Sequence, residues 1–204
     1  MNNLIIALSG ASHSGKTTFM ETIKKKYPDN VILLNEEIRN LDIGDIDTIR
    51  QSPKAYLDLE IKIISAKIEA ENLINSKHNN KIVLCDRSLI DSYFYYTFYV
   101  DKSTLDCDDL KKYHAFLSFL YNTMIENCNY LYNYIYFLNP ISTLTRQDEY
   151  TQKNLSLTQE NEYKLMQILS KGVINNKEKF IEYDVIKDQS KMEQRIYEFT
   201  LGLK

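Results

Sequence analysis

Residues 10–17 constrain this chain more than any other stretch. They read Gly-Ala-Ser-His-Ser-Gly-Lys-Thr and match the phosphate-binding pattern G-x-x-x-x-G-K-[ST] in full. Residues 4–8 before them form a short apolar run typical of a buried parallel strand, and residues 17–27 after them carry apolar side chains at helical spacing. The sequence therefore predicts a strand, a phosphate-binding loop and a helix. A chance match is disfavoured, because two of only five glycines in the chain fall at the required positions.

The residue types in this loop suit a polyphosphate ligand. Glycines let the backbone turn tightly and approach the ligand, while successive N–H groups and the helix N-terminus face its negative charge. Lys16 would neutralise the β and γ phosphates, and the Thr17 hydroxyl would bind Mg²⁺, a hard cation that prefers oxygen ligands. The predicted nucleotide-binding residues are Gly10, Ser12, His13, Ser14, Gly15, Lys16, Thr17 and Thr18.

Length and composition limit the classes of protein to which the chain can belong. A chain of 204 residues fits one α/β domain, so we expect a single domain over residues 1–204. A net charge of −3 gives no broad basic surface, which favours a small anionic ligand over a nucleic acid. Three cysteines without C-x-x-C spacing indicate free thiols in a reducing compartment. No apolar run approaches the roughly 18–20 residues of a membrane span, so we expect a cytoplasmic protein.

Five short apolar runs alternate with helical patterns along the chain. This order is typical of βαβ units and a parallel sheet. Between the second and third runs, Ser52 and Pro53 predict the start of a long helix that residues 77–80 break. The five predicted strands cover residues 4–8, 31–34, 81–85, 134–138 and 180–183.

Charged residues follow the second and third predicted strands. Since ligands bind outside the carboxyl ends of parallel strands, these residues belong to the predicted catalytic neighbourhood. Glu36 is a candidate base or ligand of a substrate hydroxyl, and Arg39 a candidate for binding substrate or phosphate. A polar helix start with an ion pair explains the same two residues equally well.

Asp86, Arg87 and Ser88 follow the third strand. A carboxylate beside a phosphate-binding loop can hold a metal-bound water, and an adjacent arginine can neutralise a phosphate. The alternative is a helix N-cap by Asp86 or Ser88. Tyr93 lies further on, where it could reach the same cleft, at the start of an aromatic run that we interpret mostly as core packing.

A polar segment near residues 141–156 follows the fourth strand and contains Arg146 as its only arginine. A lid at this position would bring positive charge over the phosphates and exclude water. An exposed helix start with mixed charges is the equally weighted alternative. Apolar and aromatic helices predicted around residues 56–74 and 110–128 offer a face for a homodimer.

With these motifs the chain resembles the P-loop nucleoside and nucleotide kinases. Within that group it is most similar to the branch labelled AAA-type ATPase, related to nicotinamide-riboside kinases, with deoxynucleoside and thymidylate kinases as more distant relatives. The resemblance covers nearly the whole chain in element order and rests on the loop, on Glu36-x-x-Arg39 and on Asp86-Arg87-Ser88. At the lid, the chain has Thr143-Leu-Thr-Arg146 where the branch commonly has Asp-Gly-x-Arg.

The resemblance implies a three-layer P-loop NTPase fold with a five-stranded parallel sheet in the order 2-3-1-4-5. It also implies ATP at the loop and an acceptor at the ends of strands two and three. Carried over, Glu36 matches the acidic residue that contacts the acceptor hydroxyl as base, Arg87 matches the arginine of the Asp-Arg-Ser motif, and Arg146 falls at the lid. The predicted catalytic residues are Lys16, Glu36, Asp86, Arg87 and Arg146; the substrate-binding residues are Glu36, Arg39, Arg87 and Tyr93; and the metal ligands are Thr17 and Asp86.

Three functional hypotheses follow. The first is a kinase that uses ATP and Mg²⁺ to phosphorylate a small nucleoside- or nucleotide-like acceptor. The second is a kinase acting on a modified base or an end in DNA, which the negative charge of the chain disfavours. The third, from another class, is a nucleotide-binding regulatory switch that transfers nothing.

Overall fold

The computed structural model describes residues 3–10, 14–34, 49, 52–139 and 152–202 of the chain. For Asn75, Tyr99 and residues 152–159 and 185–186 it describes the backbone alone. The strands in this part of the chain are β1 (Leu4–Ser9), β2 (Val31–Leu34), β3 (Ile82–Asp86), β4 (Tyr134–Leu138) and β5 (Phe180–Tyr183). The α-helices are α1 (Lys16–Lys26), α2 (Pro53–Lys77), α3 (Leu89–Tyr99), α4 (Cys107–Glu126), α5 (Gln152–Val173) and α6 (Val185–Gly202).

Side-chain caps fix where several helices begin. Ser52 caps α2 by accepting a hydrogen bond from the backbone N–H of Ala55, and a proline follows the cap at the first helical position. Asp106 caps α4 by accepting from the N–H groups of Asp108 and Asp109. These caps satisfy backbone donors that have no partner within the helix. A short π-helical turn, Asn127–Leu131, follows α4 and leads into β4.

The five strands form one sheet in the order β2-β3-β1-β4-β5. All neighbouring strands in it run parallel. This order confirms the predicted P-loop NTPase fold. Because β1 lies in the middle between β3 and β4, the loop that follows β1 begins beside the carboxyl ends of both neighbours.

Helices cover both faces of the sheet. Along β1, Ile5 and Ala7 face a core built with α2, α3 and α4, whereas Ile6 and Leu8 face a second core built with α1 and α6. All four side chains are at most 2% exposed. This alternation is the period of two expected of a strand buried on both sides, and it fixes the register of the central strand.

The prediction of a single domain over residues 1–204 stays a prediction. The lid near residues 141–156 also stays a prediction, because residues 140–151 lie outside the described part and α5 is described only from Gln152 onward. Within the residues that the structure describes, no helix is both long enough and apolar enough to cross a membrane.

Candidate functional site

The register of the sheet places the third strand's carboxylate beside the start of the phosphate-binding loop. Leu8 of β1 pairs with Asp86 of β3, and β1 ends one residue later at Ser9. Asp86 is the last residue of β3 and is 2% exposed. The residues that sequence reasoning had placed after two separate strands therefore meet at one edge of the sheet.

Both glycines of the loop adopt backbone conformations that other residues rarely adopt. Gly10 has φ of 130° and Gly15 has φ of 83°. A Cβ atom added to Gly10 would lie 2.5 Å from the carbonyl oxygen of Leu138 in β4. Glycine is therefore required at this turn both by its backbone angle and by the close approach of the neighbouring strand.

The Lys16 side chain folds back over the loop. Its ammonium group donates hydrogen bonds to the carbonyl oxygen of Gly10 at 2.8 Å and to the hydroxyl of Ser14 at 3.1 Å. The residue is 6% exposed. A buried cation held by loop atoms is placed to meet the anionic groups of a polyphosphate.

Thr17 and Asp86 bring two hard oxygen donors together. The Thr17 hydroxyl donates to the Asp86 carboxylate across 3.4 Å. Among the described residues, no group of three or more His, Cys, Asp or Glu side chains could hold a metal ion by itself. A pair of oxygen donors fits Mg²⁺, which usually takes one or two protein oxygens and completes its shell with phosphates and water.

Asp91 joins the loop to the turn after β3. One of its carboxylate oxygens accepts from the hydroxyls of Ser9 at 2.6 Å and Ser88 at 2.8 Å, and from the backbone N–H of Ser88 at 2.8 Å. The other accepts from the N–H of Gly10 at 3.1 Å. Ser88 and Asp91 also form the capping box of α3, so Ser88 and not Asp86 is the N-cap.

Arg87 occupies a left-handed backbone conformation with φ of 69°. Its guanidinium carbon lies 4.6 Å from the centroid of the Tyr95 ring, at a distance suited to a cation–π contact. A non-glycine residue with such a φ is strained and persists only when its surroundings hold it. The turn therefore separates the Asp86 carboxylate at Thr17 from the Arg87 guanidinium over Tyr95.

Tyr93 lies in α3 and is partly buried. Its ring centroid lies 5.5 Å from that of Tyr121 in α4. Burial raises the pKa of the Tyr93 hydroxyl, and the neighbouring Tyr121 adds to the shift. Its predicted substrate contact stays a prediction, because the described contact of this ring is with another helix.

A buried polar cluster beneath this turn was missed by the sequence reasoning. Lys67 and Glu71 of α2 form an ion pair of 2.9 Å, with side chains 8% and 0% exposed. Burial acts to lower the pKa of Lys67, but the nearby acidic groups, Glu71 above all, together outweigh it, so the pKa lies above its ordinary value. The sequence did contain one sign of this buried pair: Lys67 and Glu71 are four residues apart and lie on the same face of the predicted helix as the apolar Ile64, Ile68 and Ile74.

Several predicted site residues lie outside the described part of the chain. This holds for Ser12 and His13 in the loop, for Glu36 and Arg39 after β2, and for Arg146 at the lid. Thr18 is described and lies exposed on α1, next to Thr17. The structure thus brings together Gly10, Ser14, Gly15, Lys16, Thr17 and Asp86, whereas the Arg87 guanidinium lies over Tyr95. The roles of all these residues stay predictions.

Solved structures share the fold of this chain. It superposes on the NadR protein in complex with NR with a TM-score of 0.64 at 17% identity, covering 97% of this chain and 52% of the other. For the NadR protein in complex with NAD and AMP-PNP the TM-score is 0.62 at 18% identity, covering 97% and 49%. The chain therefore spans about half the length of the NadR chains it matches.

A thymidylate kinase from Candida albicans matches with a TM-score of 0.56 at 16% identity, covering 100% of this chain and 94% of the kinase. At these identities the likeness concerns the fold. No curated protein matches the sequence significantly. The family model described as an AAA domain matches residues 5–172. That range holds the loop, most of β1, and β2, β3 and β4, so the chain belongs to this AAA domain family, and it shares its fold with the matched NadR and thymidylate kinase structures.

Proposed function

We propose that the protein transfers the γ-phosphate of ATP to a small nucleoside- or nucleotide-like acceptor, in the presence of Mg²⁺. One observation carries the proposal: the Thr17 hydroxyl lies 3.4 Å from the Asp86 carboxylate, next to Lys16 of a complete phosphate-binding motif. Phosphoryl transfer requires positioning and charge stabilisation more than covalent help from the protein. Oxygen donors beside a cation are the groups that this chemistry needs.

In this proposal one group of residues binds ATP and Mg²⁺, and a second group binds the acceptor. Lys16 and the loop amides bind the β and γ phosphates, and Thr17 and Asp86 would hold the Mg²⁺. When bound, Mg²⁺ would neutralise the negative charge of the phosphates. Within the loop, Ser12, His13 and Ser14 are the proposed phosphate contacts beside Gly10 and Gly15.

On the acceptor side, we assign Glu36 to orient the acceptor hydroxyl or take its proton. Arg39 and Arg87 offset the charge of the acceptor and of the group in transfer, and Arg146 contributes from the lid. Tyr93 contacts the acceptor in this scheme. The matched structures support a small nucleotide-like ligand, since NadR is in complex with NR in one of them and with NAD and AMP-PNP in the other.

Other features of the proposal follow from composition. Cys85, Cys107 and Cys128 are free thiols, which supports a reducing compartment such as the cytoplasm. A homodimer through α2 and α4 stays a prediction.

The test is a transfer assay with γ-labelled ATP, Mg²⁺ and a panel of nucleosides and nucleoside monophosphates. We expect label in one acceptor class, and loss of transfer in Lys16→Met. Lys25→Met, an exposed change on the same helix, is the matched control and should transfer normally. Glu36→Gln should also lose transfer while retaining ATP binding.

Two outcomes would overturn the proposal. If ATP is bound or hydrolysed but no small acceptor becomes labelled, the regulatory switch is the hypothesis that remains. Label found only in DNA oligonucleotides, with binding that weakens steeply as salt rises, would favour the nucleic-acid kinase.

A further inference from the structure

We propose that a buried cradle beneath the active site, formed by Lys67, Glu71, Asn127 and Tyr132, positions Asp86 and Arg87 for phosphoryl transfer. The inference rests on the proposed function for its kinetic part. Its structural part concerns only the backbone of the turn after β3. These are positioning residues, since they act through the turn.

Lys67 holds the turn by two successive carbonyl groups. Its ammonium group donates to the carbonyl oxygen of Asp86 at 3.3 Å and to that of Arg87 at 3.1 Å. The side chain reaches these atoms from α2, on the face of the sheet that also packs α3 and α4. One cation thus holds the two carbonyl groups on either side of the Arg87 α-carbon.

Glu71 and its partners hold Lys67 in place. The Glu71 carboxylate lies 2.9 Å from the Lys67 ammonium and accepts from the side-chain amide of Asn127 at 2.9 Å. The Tyr132 hydroxyl lies 2.8 Å from both carboxylate oxygens. Two parts of the chain that are far apart in sequence, α2 and residues 127–132, therefore meet at one buried carboxylate.

The same cluster reaches the turn a second time through Tyr132. Its hydroxyl accepts a hydrogen bond from the backbone N–H of Leu89 at 3.2 Å, at the first residue of α3. The cradle therefore binds backbone groups of Asp86, Arg87 and Leu89. It holds the turn from its entry to its exit.

The turn has a strained conformation that the cradle can maintain. Arg87 has φ of 69°, a strained angle that its surroundings must maintain. This angle separates the Asp86 carboxylate, at Thr17, from the Arg87 guanidinium, over Tyr95. If the carbonyl groups were released, the turn could relax and the two side chains would lose their relative placement.

Stability alone is a weak reason to bury this ion pair. Replacing a buried ion pair by apolar residues of similar size is often neutral or stabilising, because taking two charges out of water is unfavourable. Lys67 and Glu71 are 6% and 0% exposed as residues. Their burial directly beneath the predicted metal ligand is accounted for by the geometry they impose on it.

The test compares wild type with the double variant Lys67→Met/Glu71→Leu, which removes both charges and leaves none unpaired. We expect a melting temperature near that of wild type, kcat reduced by about tenfold to a hundredfold, and an unchanged KM for ATP. Hydrogen exchange at the Leu89 amide should be faster. Lys62→Met/Glu69→Leu, two exposed changes on the same helix, should behave as wild type in every measurement.

The cradle is overturned if the double variant folds with wild-type kcat and wild-type exchange at Leu89. Should the double variant fail to fold, Tyr132→Phe provides the same two readouts, since it removes one hydroxyl and keeps the ring. If wild type transfers no phosphoryl group, the proposed function fails separately. Exchange at the Leu89 amide then decides: faster exchange in the double variant supports the cradle, and exchange at the wild-type rate contradicts it.

Discussion

The carboxylate of Asp91 and the hydroxyl of Ser9 form a hydrogen bond of 2.6 Å that joins α3 to the end of the central strand. Both side chains are fully buried. The same carboxylate accepts from the N–H of Gly10. It therefore links the start of the phosphate-binding loop to the capping box of the helix that follows the Asp86–Arg87 turn, and the two halves of the candidate site share one support.

We expect Asp91→Asn to destabilise the protein by about 1.5–3 kcal/mol, because a neutral amide loses charge-assisted hydrogen bonds in a buried site. ATP affinity should fall with it, since the loop loses its support at Gly10. Asp108→Asn, at an exposed position early in α4, is the control and should change stability by at most about 0.5 kcal/mol. Urea unfolding measures the stability of each variant, and ATP titration measures its affinity for ATP. Equal unfolding midpoints for the two variants would contradict the assigned role.

Two glycine substitutions should act in opposite directions. Gly10→Ala places a Cβ atom 2.5 Å from the Leu138 carbonyl oxygen at a φ of 130°, and we expect a loss of about 1–3 kcal/mol. Gly172→Ala, in α5 with no atom within 4 Å of the new Cβ, should stabilise by about 0.5–1 kcal/mol. Denaturant midpoints decide. A stable Gly10→Ala protein would show that the loop can shift away from β4.

The Thr17 hydroxyl should matter for the metal and little for the fold. Thr17→Val keeps the shape of the side chain, so we expect near wild-type stability with Mg²⁺-dependent ATP affinity or transfer lowered about 10- to 100-fold. Thr17→Ser should restore most of it. Thr22→Val, an exposed change one turn later on α1, is the control. If Mg²⁺ strengthens ATP binding to Thr17→Val as much as to wild type, Thr17 is not a ligand.

Local patterns were enough to predict the strands, while the order of the strands in the sheet was implied by the resemblance to P-loop kinases. The apolar runs at residues 31–34, 134–138 and 180–183 have the bounds that the structure gives β2, β4 and β5. The limits of helices were less predictable. A helix was predicted around residues 110–128, whereas α4 already begins at Cys107, because the Asp106 side chain caps it. Residues 101–109 contain four aspartates, and the sequence does not show which of them caps the helix.

The supports of the site could not be predicted, since their partners are distant in sequence. Asp91 is buried and accepts a hydrogen bond from Ser9, 82 positions away. Glu71 meets Tyr132 across 61 positions. The aromatic run after Tyr93 was expected to be mostly core, and Phe94 and Tyr96 are indeed buried, while Phe98 is 60% exposed. Helical spacing shows a face but does not show what covers it.

The last prediction concerns Glu182 of β5 and the dependence of stability on pH. Burial acts to raise the pKa of this carboxyl, but hydrogen bonds from Lys171, Gln167 and Tyr163 outweigh it and lower the pKa below 4.5. A lowered pKa stabilises the folded state above the pKa of the unfolded chain, and this contribution disappears as the pH falls through the folded value.

Glu182→Gln should therefore lower the free energy of unfolding at pH 7 more than at pH 3. The difference should be at most about 1 kcal/mol, because the Glu182 side chain is 36% exposed and water screens its pairing with Lys171. Glu178→Gln, an exposed change just before the same strand, should show no such difference between the two pH values. Denaturant unfolding of both variants at each pH makes the comparison. A destabilisation by Glu182→Gln that is equal at both pH values, or larger in acid, would show that the ionised carboxylate does not fasten α5 to β5.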